Sequence, residues 1–298
     1  MRANRSRSTT TQERYLIVSG DDFGLSSQVN KGVLQAHKNG ILTNTSLMVT
    51  GEAWREAVEI AKSLPTLAIG LHLTLVQGRA ALSPSQIPKI TDDQGNFSNN
   101  AVYSGLRYYF SGQVLSQIRA ECRAQIERFL CTGLRLSHVD GHLNIHMHPS
   151  IMDILLSLKD EYRIPAVRLT RENFFSTHAL GGGFACRKAL EALIFANLGR
   201  AAEKKLHKHG LGFPDNLFGL HQSGVVDETY LLRLLPTLKA GVSEIYCHPS
   251  VLPCPVVARC TPTYRRDLEL QALTSQKVSD AVSRERIRLI SYAKFSSP

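Results

Sequence analysis

Short apolar runs alternate with helix-periodic segments along most of the chain. The first run covers residues 15–19 (YLIVS), and the following stretch has Ser26 or Ser27 as a predicted N-cap and Gly40 as its stop. Further strands are predicted at 41–50, 67–76, 135–140, 166–170, 216–220, 243–248 and 287–292. Helices are predicted across 52–64, 112–133 and 185–209.

Eight predicted strands separated by helices favour an α/β fold with a largely parallel sheet. The 298 residues fall within the usual size of a (β/α)₈ barrel, so we expect a TIM-barrel-like architecture. Two segments, 77–112 after the third strand and 171–184 after the fifth, are too long for simple connections. We expect them to be insertions that form lids or substrate-binding walls.

Composition does not change the predicted fold. The basic residues 1–14 lack the apolar stretch of a secretory signal, so we expect a disordered lead-in followed by a single domain at 15–298 and a cytoplasmic location. No apolar run approaches the roughly 18–20 residues of a membrane-spanning helix. The six cysteines form no CxxC pair and indicate reduced thiols. The net charge of +10 is a weak indication of an anionic partner because the arginines are dispersed.

Polar side chains follow several of the predicted strands at their carboxyl ends. Asp21 and Asp22 close the first strand, and His72 lies in the third. Asp140 and His142 follow the fourth, and His248 ends the seventh. Because ligands bind at the carboxyl ends of parallel strands, these residues predict one polar site at a single rim.

Each of these residues also has an ordinary structural interpretation. An Asp-Asp pair is usually a turn or a helix cap, His72 alone would be a hydrogen-bonded core histidine, and His248 precedes a proline at a strand end. His138 and His146 are candidates for packing or for supporting the site. Their joint occurrence at corresponding strand ends favours a metal site, since one carboxylate and two imidazoles leave coordination positions open for water.

Other catalytic classes lack their motifs. The sequence "DFG" at 22–24 occurs without the glycine-rich loop, strand lysine and HRD loop of protein kinases. No GxSxG elbow, Walker A or Rossmann glycine pattern is present. No basic stripe interleaved with aromatic residues supports nucleic-acid binding.

Four motifs in this order resemble the YdjC-like carbohydrate deacetylase family: "LIVSGDDFGLS", "AIGLHLTL", "SHVDGHLNIHMHP" and "EIYCHPS". Three further stretches resemble the subgroup of hopanoid-biosynthesis-associated deacetylases (HpnK): "SGLRYYFSGQVLSQIRAECRAQIERFLCTGL", "PDNLFGLHQSGVVDE" and "YRRDLELQAL". The resemblance spans about residues 15–290. It implies an irregular (β/α) barrel that uses a divalent metal to remove N-acetyl groups from amino sugars.

The resemblance also implies residue roles. Asp22, His72 and His142 would be the ligands of one divalent metal, either Mg or Zn, Asp21 the catalytic base, and His248 the general acid. Many relatives carry a run of histidines where this chain has Leu143 and Asn144, which weakens the case for a second histidine ligand in that loop.

The implied substrate is an N-acetylglucosaminyl hopanoid lipid, with peripheral contact at the inner face of the membrane. The aromatic-rich residues 105–110 (GLRYYF) are candidates for touching its apolar part, although such residues are more often core. A homodimer is a further expectation. The alternatives are a soluble chitooligosaccharide or amino-sugar deacetylase and a non-enzymatic barrel that binds metal or nucleic acid.

Overall fold

A computed structural model of the chain describes residues 13–110, 112–173 and 186–296. Residues 1–12 of the expected lead-in therefore lie outside the described residues. The described strands are β1 (Arg14–Phe23), β2 (Asn44–Leu47), β3 (Ala68–Leu73), β4 (Leu136–Gly141), β5 (Asn216–Phe218), β6 (Gly241–Cys247) and β7 (Ile287–Ile290).

Helices separate most of these strands. They are α1 (Ser27–Asn39), α2 (Trp54–Lys62), α3 (Ala101–Phe110), α4 (Gly112–Leu130), α5 (Pro149–Leu158), α6 (Cys186–Lys208), α7 (Glu228–Leu234), α8 (Pro255–Cys260), α9 (Arg266–Leu273) and α10 (Gln276–Arg284). The predicted cap of the first helix is confirmed, because the Ser26 hydroxyl accepts a hydrogen bond from the Val29 N–H at 3.3 Å.

The sheet is parallel and curled into a half-barrel, with strand order β4-β3-β2-β1-β6-β5. Strand β1 is central. It pairs with β6 along Arg14–Gly20, while its other edge pairs with β7 in its first half and with β2 in its second half. Strand β7 therefore lies beside the part of β1 that β2 does not cover, and the described strands do not form a regular eight-stranded barrel.

The strand predicted at 166–170 is wrong as a regular strand. The segment makes only two isolated parallel bridges, from Val167 to Val139 of β4 and from Ala166 to Gly212. Pro165 precedes it and has no N–H with which to extend the ladder. The bridges nevertheless continue the curl of the sheet beyond β4, and they fix the backbone of Arg168, whose N–H donates to the Val139 carbonyl at 3.1 Å.

The first predicted insertion contains helix α3 and is anchored on helix α4. The buried Glu121 carboxylate accepts the backbone N–H groups of Ala81 and Leu82 at 2.6 and 3.0 Å. Of the second predicted insertion, residues 174–184 lie outside the described residues. Among the helices of the described residues, none is long and apolar enough to cross a membrane.

Gly70 of β3 permits a close approach to β4, because a Cβ atom at this position would overlap the buried His138 imidazole. We predict that Gly70→Ala lowers the free energy of unfolding by about 1–3 kcal/mol, the usual cost of overpacking a core. Gly112→Ala is the control, since a Cβ atom there would meet nothing within 4 Å. Urea unfolding of both variants measures the difference, and equal stabilities would contradict the packing argument.

Candidate active site

The two adjacent aspartates at the end of β1 occupy an irregular stretch of backbone. The register of β1 against β2 shifts between Gly20 and Phe23, and Asp22 has a φ of 66°. Consecutive side chains of a regular strand point to opposite faces, so this irregularity is what allows both carboxylates to lie at one edge. Both are almost completely buried.

Asp22 lies between two imidazoles. Its Oδ1 atom is 2.9 Å from His142 Nδ1 and 3.3 Å from His72 Nε2. The three residues offer one ligand atom each, and these atoms all lie within 4.8 Å of one another. The structure therefore brings together the three residues that the family resemblance implied as metal ligands.

Asp140 supports this group from the end of β4. Its Oδ1 atom is 2.8 Å from His72 Nδ1, which leaves the Nε2 atom of that ring directed toward Asp22. A carboxylate on the far nitrogen of a metal-binding histidine fixes the orientation of the ring. Burial disfavours the imidazolium form of His72, but Asp140 and Asp22 outweigh burial and raise its pKa to about 10. A bound cation would take the place of that proton.

Arg266, the first residue of α9, holds the other oxygen of Asp22. Its Nη2 atom is 2.7 Å from Asp22 Oδ2, and the guanidinium is buried. Burial alone would raise the pKa of Asp22, but Arg266 and the imidazole of His142 keep it well below its usual range. Asp22 thus remains a carboxylate with a single oxygen, Oδ1, facing the two imidazoles.

Asp21 has a guanidinium of its own. Arg168 Nη1 and Nη2 donate to its two carboxylate oxygens at 2.7 and 2.8 Å. The same guanidinium lies 2.8 Å from Asp140 and 2.9 Å from Glu244 of β6. Burial opposes the charge of Arg168, but these carboxylates raise its pKa well above its usual value. The strands β1, β4 and β6 therefore each contribute a carboxylate to one buried cation.

His248 lies at the same edge without a hydrogen bond or ion pair to the other four predicted site residues, as far as the described residues show. Its backbone N–H donates to Glu269 Oε2 at 2.6 Å, and its ring packs on Tyr264 with 5.0 Å between centroids. Arg266 approaches the same Tyr264 ring at 5.5 Å. One aromatic side chain thus separates His248 from the arginine that contacts Asp22.

Two other histidines between residues 138 and 149 have structural surroundings. His138 stacks on Tyr292 with 4.0 Å between ring centroids. His146 Nε2 lies 3.0 Å from the Arg168 carbonyl, and burial lowers the pKa of that ring to about 4. Neither ring belongs to the Asp22, His72 and His142 group.

The two arginines were not predicted as site residues. Arg168 lies within the apolar run AVRLT, where a charged residue in an otherwise buried pattern is a usable signal. Arg266 follows an equally charged neighbour in "YRRDLEL", and nothing in that pattern distinguishes the buried arginine from the exposed one.

A family model described as YdjC-like protein matches residues 15–284. A protein of Brevibacillus brevis named carbohydrate deacetylase is 30% identical over 279 residues, which cover 94% of this chain and 98% of that one. A carbohydrate deacetylase of Vibrio parahaemolyticus is 29% identical, with 95% and 96% covered. A crystal structure from Enterococcus faecalis, of a protein whose name refers to cellobiose-phosphate cleavage, aligns with a TM-score of 0.75 and 27% identity over 95% and 98% of the two chains.

These matches extend over nearly the whole described domain and include every strand end that carries a site residue. The chain belongs to the YdjC-like protein family.

Proposed function

We propose that the chain is a metal-dependent carbohydrate N-deacetylase that releases acetate from an N-acetylated amino sugar. The observation that carries this proposal is the convergence of Asp22, His72 and His142 at the carboxyl ends of their strands. Full-length relatives named carbohydrate deacetylase support the reaction type.

The residues at this edge suit a divalent cation. Two imidazole nitrogens and one carboxylate oxygen are a common donor set for zinc, and Mg²⁺ is the alternative. Charge supports the same conclusion, because the described part of the chain places five buried carboxylates around two buried guanidinium groups. They are Asp21, Asp22, Asp140, Glu244 and Glu269, with Arg168 and Arg266.

Amide hydrolysis requires an activated water and a proton for the departing amine. A divalent ion held by the three ligands would lower the pKa of a bound water and polarise the acetyl carbonyl. Asp21 accepts the proton of the water in this proposal, since each carboxylate oxygen bonded to Arg168 retains a second lone pair. His248 donates a proton to the sugar nitrogen as the C–N bond breaks.

We further propose that the amino sugar is carried by a hopanoid lipid and is taken from a bilayer surface. Helix α3 supports this proposal through its outward face, which we call the α3 face: Val102, Tyr103, Leu106 and Tyr109. These side chains are between 52% and 73% exposed. Helix α3 contains no acidic residue and carries Arg107, a composition typical of helices that lie at a membrane interface.

The α3 face is attached to the loop that carries His142. His148 Nε2 lies 3.0 Å from the Gly105 carbonyl, and the Tyr109 ring packs against the His148 ring at 5.7 Å. Leu252, four residues after His248, is also exposed. An anionic bilayer complements both these apolar side chains and Arg107 of helix α3, since each Lys or Arg near such a surface contributes about 1 kcal/mol.

Removal of one ligand should abolish metal binding and turnover together. We predict that His142→Ala loses tight binding of Zn²⁺, measured by isothermal titration, and loses acetate release from N-acetylated chitobiose. Chelation of the wild-type protein should give the same loss, and added Zn²⁺ or Mg²⁺ should reverse it. Full acetate release after exhaustive chelation would contradict metal dependence.

Asp21→Asn should separate catalysis from metal binding. The amide cannot accept the proton of the water, so we predict that kcat falls by about 10²–10⁴-fold. Zn²⁺ affinity should stay close to that of the wild type, because Asp22, His72 and His142 are unchanged. Near-wild-type turnover in this variant would eliminate Asp21 as the base.

The α3 face predicts selective binding to vesicles. Leu106→Gln should weaken co-sedimentation with phosphatidylcholine vesicles that contain phosphatidylglycerol by about 10-fold, because burial of one leucine contributes about 1.5–3 kcal/mol. The same variant should slow deacetylation of vesicle-embedded N-acetylglucosaminyl hopanoid and leave turnover of N-acetylated chitobiose unchanged.

Leu130→Gln is the matched control, since Leu130 is also partly exposed. It lies at the end of α4, which leads to the amino end of β4, whereas the site lies at the carboxyl ends of the strands. Equal vesicle binding by both variants would count against a bilayer partner. Rapid turnover of N-acetylated chitobiose beside none of the hopanoid would instead favour a soluble amino-sugar substrate.

A further inference from the structure

Arg266 has more hydrogen-bonding capacity than its contacts use. It is only 1% exposed, and its Nη2 atom serves both Asp22 Oδ2 at 2.7 Å and Thr261 Oγ1 at 3.2 Å. The Nε and Nη1 atoms are buried and have no hydrogen-bond partner among the described residues. Because a guanidinium carries five N–H bonds, three of them are left without an acceptor.

Such unpartnered donors are unusual in a protein interior. A buried donor without a partner costs free energy, and the cost is larger for a charged group. Glu269, on the same helix as Arg266, is already engaged by the backbone N–H groups of Val226 and His248. The free N–H bonds of Arg266 are therefore available to an oxygen that a ligand supplies.

The position of Arg266 suits an oxygen that also reaches the metal site. Arg266 contacts one oxygen of Asp22, and the two imidazoles contact the other. If one oxygen is about 2 Å from a cation and accepts a hydrogen bond at about 2.9 Å, the cation and the donor nitrogen are at most about 5 Å apart. The two oxygens of Asp22 belong to one carboxylate and are closer together than that, so Arg266 and the two imidazoles lie on either side of one small group.

His248 provides a second unsatisfied group on the same side. Its Nδ1 atom is buried without a hydrogen-bond partner and lies 3.7 Å from Glu269 Oε2. Both His248 and Arg266 pack on Tyr264. Arg266 and His248 thus lie on the β6 side of the three metal-ligand candidates, and each has a buried nitrogen without a hydrogen-bond partner among the described residues.

We propose that Arg266 contacts the acetyl group, donating from Nη1 or Nε to its carbonyl oxygen during hydrolysis and to the carboxylate of the acetate product. This inference rests on the proposed deacetylase function. As water adds to the acetyl carbon and the C–N bond breaks, negative charge accumulates on the acetyl oxygens, and a fixed guanidinium stabilises that charge. Small carboxylates should then bind the metal-loaded protein as product analogues.

The competing explanation is that Arg266 only orients Asp22. In that case its loss would weaken metal binding and would affect acetate no more than it affects the metal. Acetate affinity and metal affinity therefore have to be measured separately, each without turnover.

The experiment uses the full chain loaded with Co²⁺, whose visible spectrum reports ligands that enter the site. Titration with sodium acetate gives the acetate affinity, and isothermal titration with Co²⁺ gives the metal affinity. We expect Arg266→Gln to weaken acetate binding by about 10- to 100-fold and to change metal affinity by a smaller factor. Arg266→Lys should retain metal affinity and recover only part of the acetate affinity, because it keeps the charge without the guanidinium fork.

Arg265→Gln is the matched control, since that neighbouring side chain is 57% exposed and, among the described residues, pairs with Asp267 and not with the site. It should leave both affinities unchanged. Unchanged acetate affinity in metal-loaded Arg266→Gln would overturn the proposal, as would loss of metal binding in both Arg266 variants, which would assign Arg266 to Asp22 alone. If wild-type protein binds acetate through Arg266 but releases none from any amino sugar, the proposed function fails and the carboxylate site stands.

Discussion

The arrangement of the site depends on one buried guanidinium, that of Arg168. It contacts Asp21 of β1, Asp140 of β4 and Glu244 of β6. The guanidinium therefore links the outermost strand β4 to the central strand β1 and to its neighbour β6. Glu244 in turn accepts the hydroxyl groups of Ser19 and Tyr292 at 2.7 Å each. Removing one member of such a buried network leaves uncompensated charge and typically costs about 3–5 kcal/mol. The same contacts that hold these strands together therefore also fix the orientation of the carboxylates.

Adjacent carboxylates at the end of a buried strand would repel each other strongly in a medium of low dielectric constant. The chain avoids this by giving each carboxylate its own arginine, Arg168 for Asp21 and Arg266 for Asp22. The irregular backbone at Asp22 directs the two side chains toward these separate partners. Asp21 and Asp22 both lie close to His72 but have different partners. Different surroundings are required if the two carboxylates are to have different chemical roles.

Periodicity predicted most of the elements, because seven of the eight expected strands and the major helices have apolar faces that local sequence reveals. The prediction was wrong at 166–170, where two isolated bridges are present instead of a regular strand. Periodicity also could not predict that β7 pairs with the first half of β1. The convergence of Asp22, His72 and His142 followed from the rule that parallel strands end at one edge. Arg266 could not be assigned in this way, since it belongs to a helix and its burial beside Asp22 depends on contacts 244 residues apart in the chain.

The order of the strands divides the site into two halves. The three metal-ligand candidates come from β1, β3 and the end of β4, which all lie on one side of the sheet. His248 and Arg266 follow β6 on the other side of β1 and share Tyr264 as a packing surface. Under the proposed function, an N-acetyl group has to lie across the end of β1, with its carbonyl oxygen between the histidines and Arg266 and its nitrogen toward His248. Asp21 and Asp22 lie near the end of the strand that this group would cross, so the paired carboxylates belong to the one strand that borders both halves of the site.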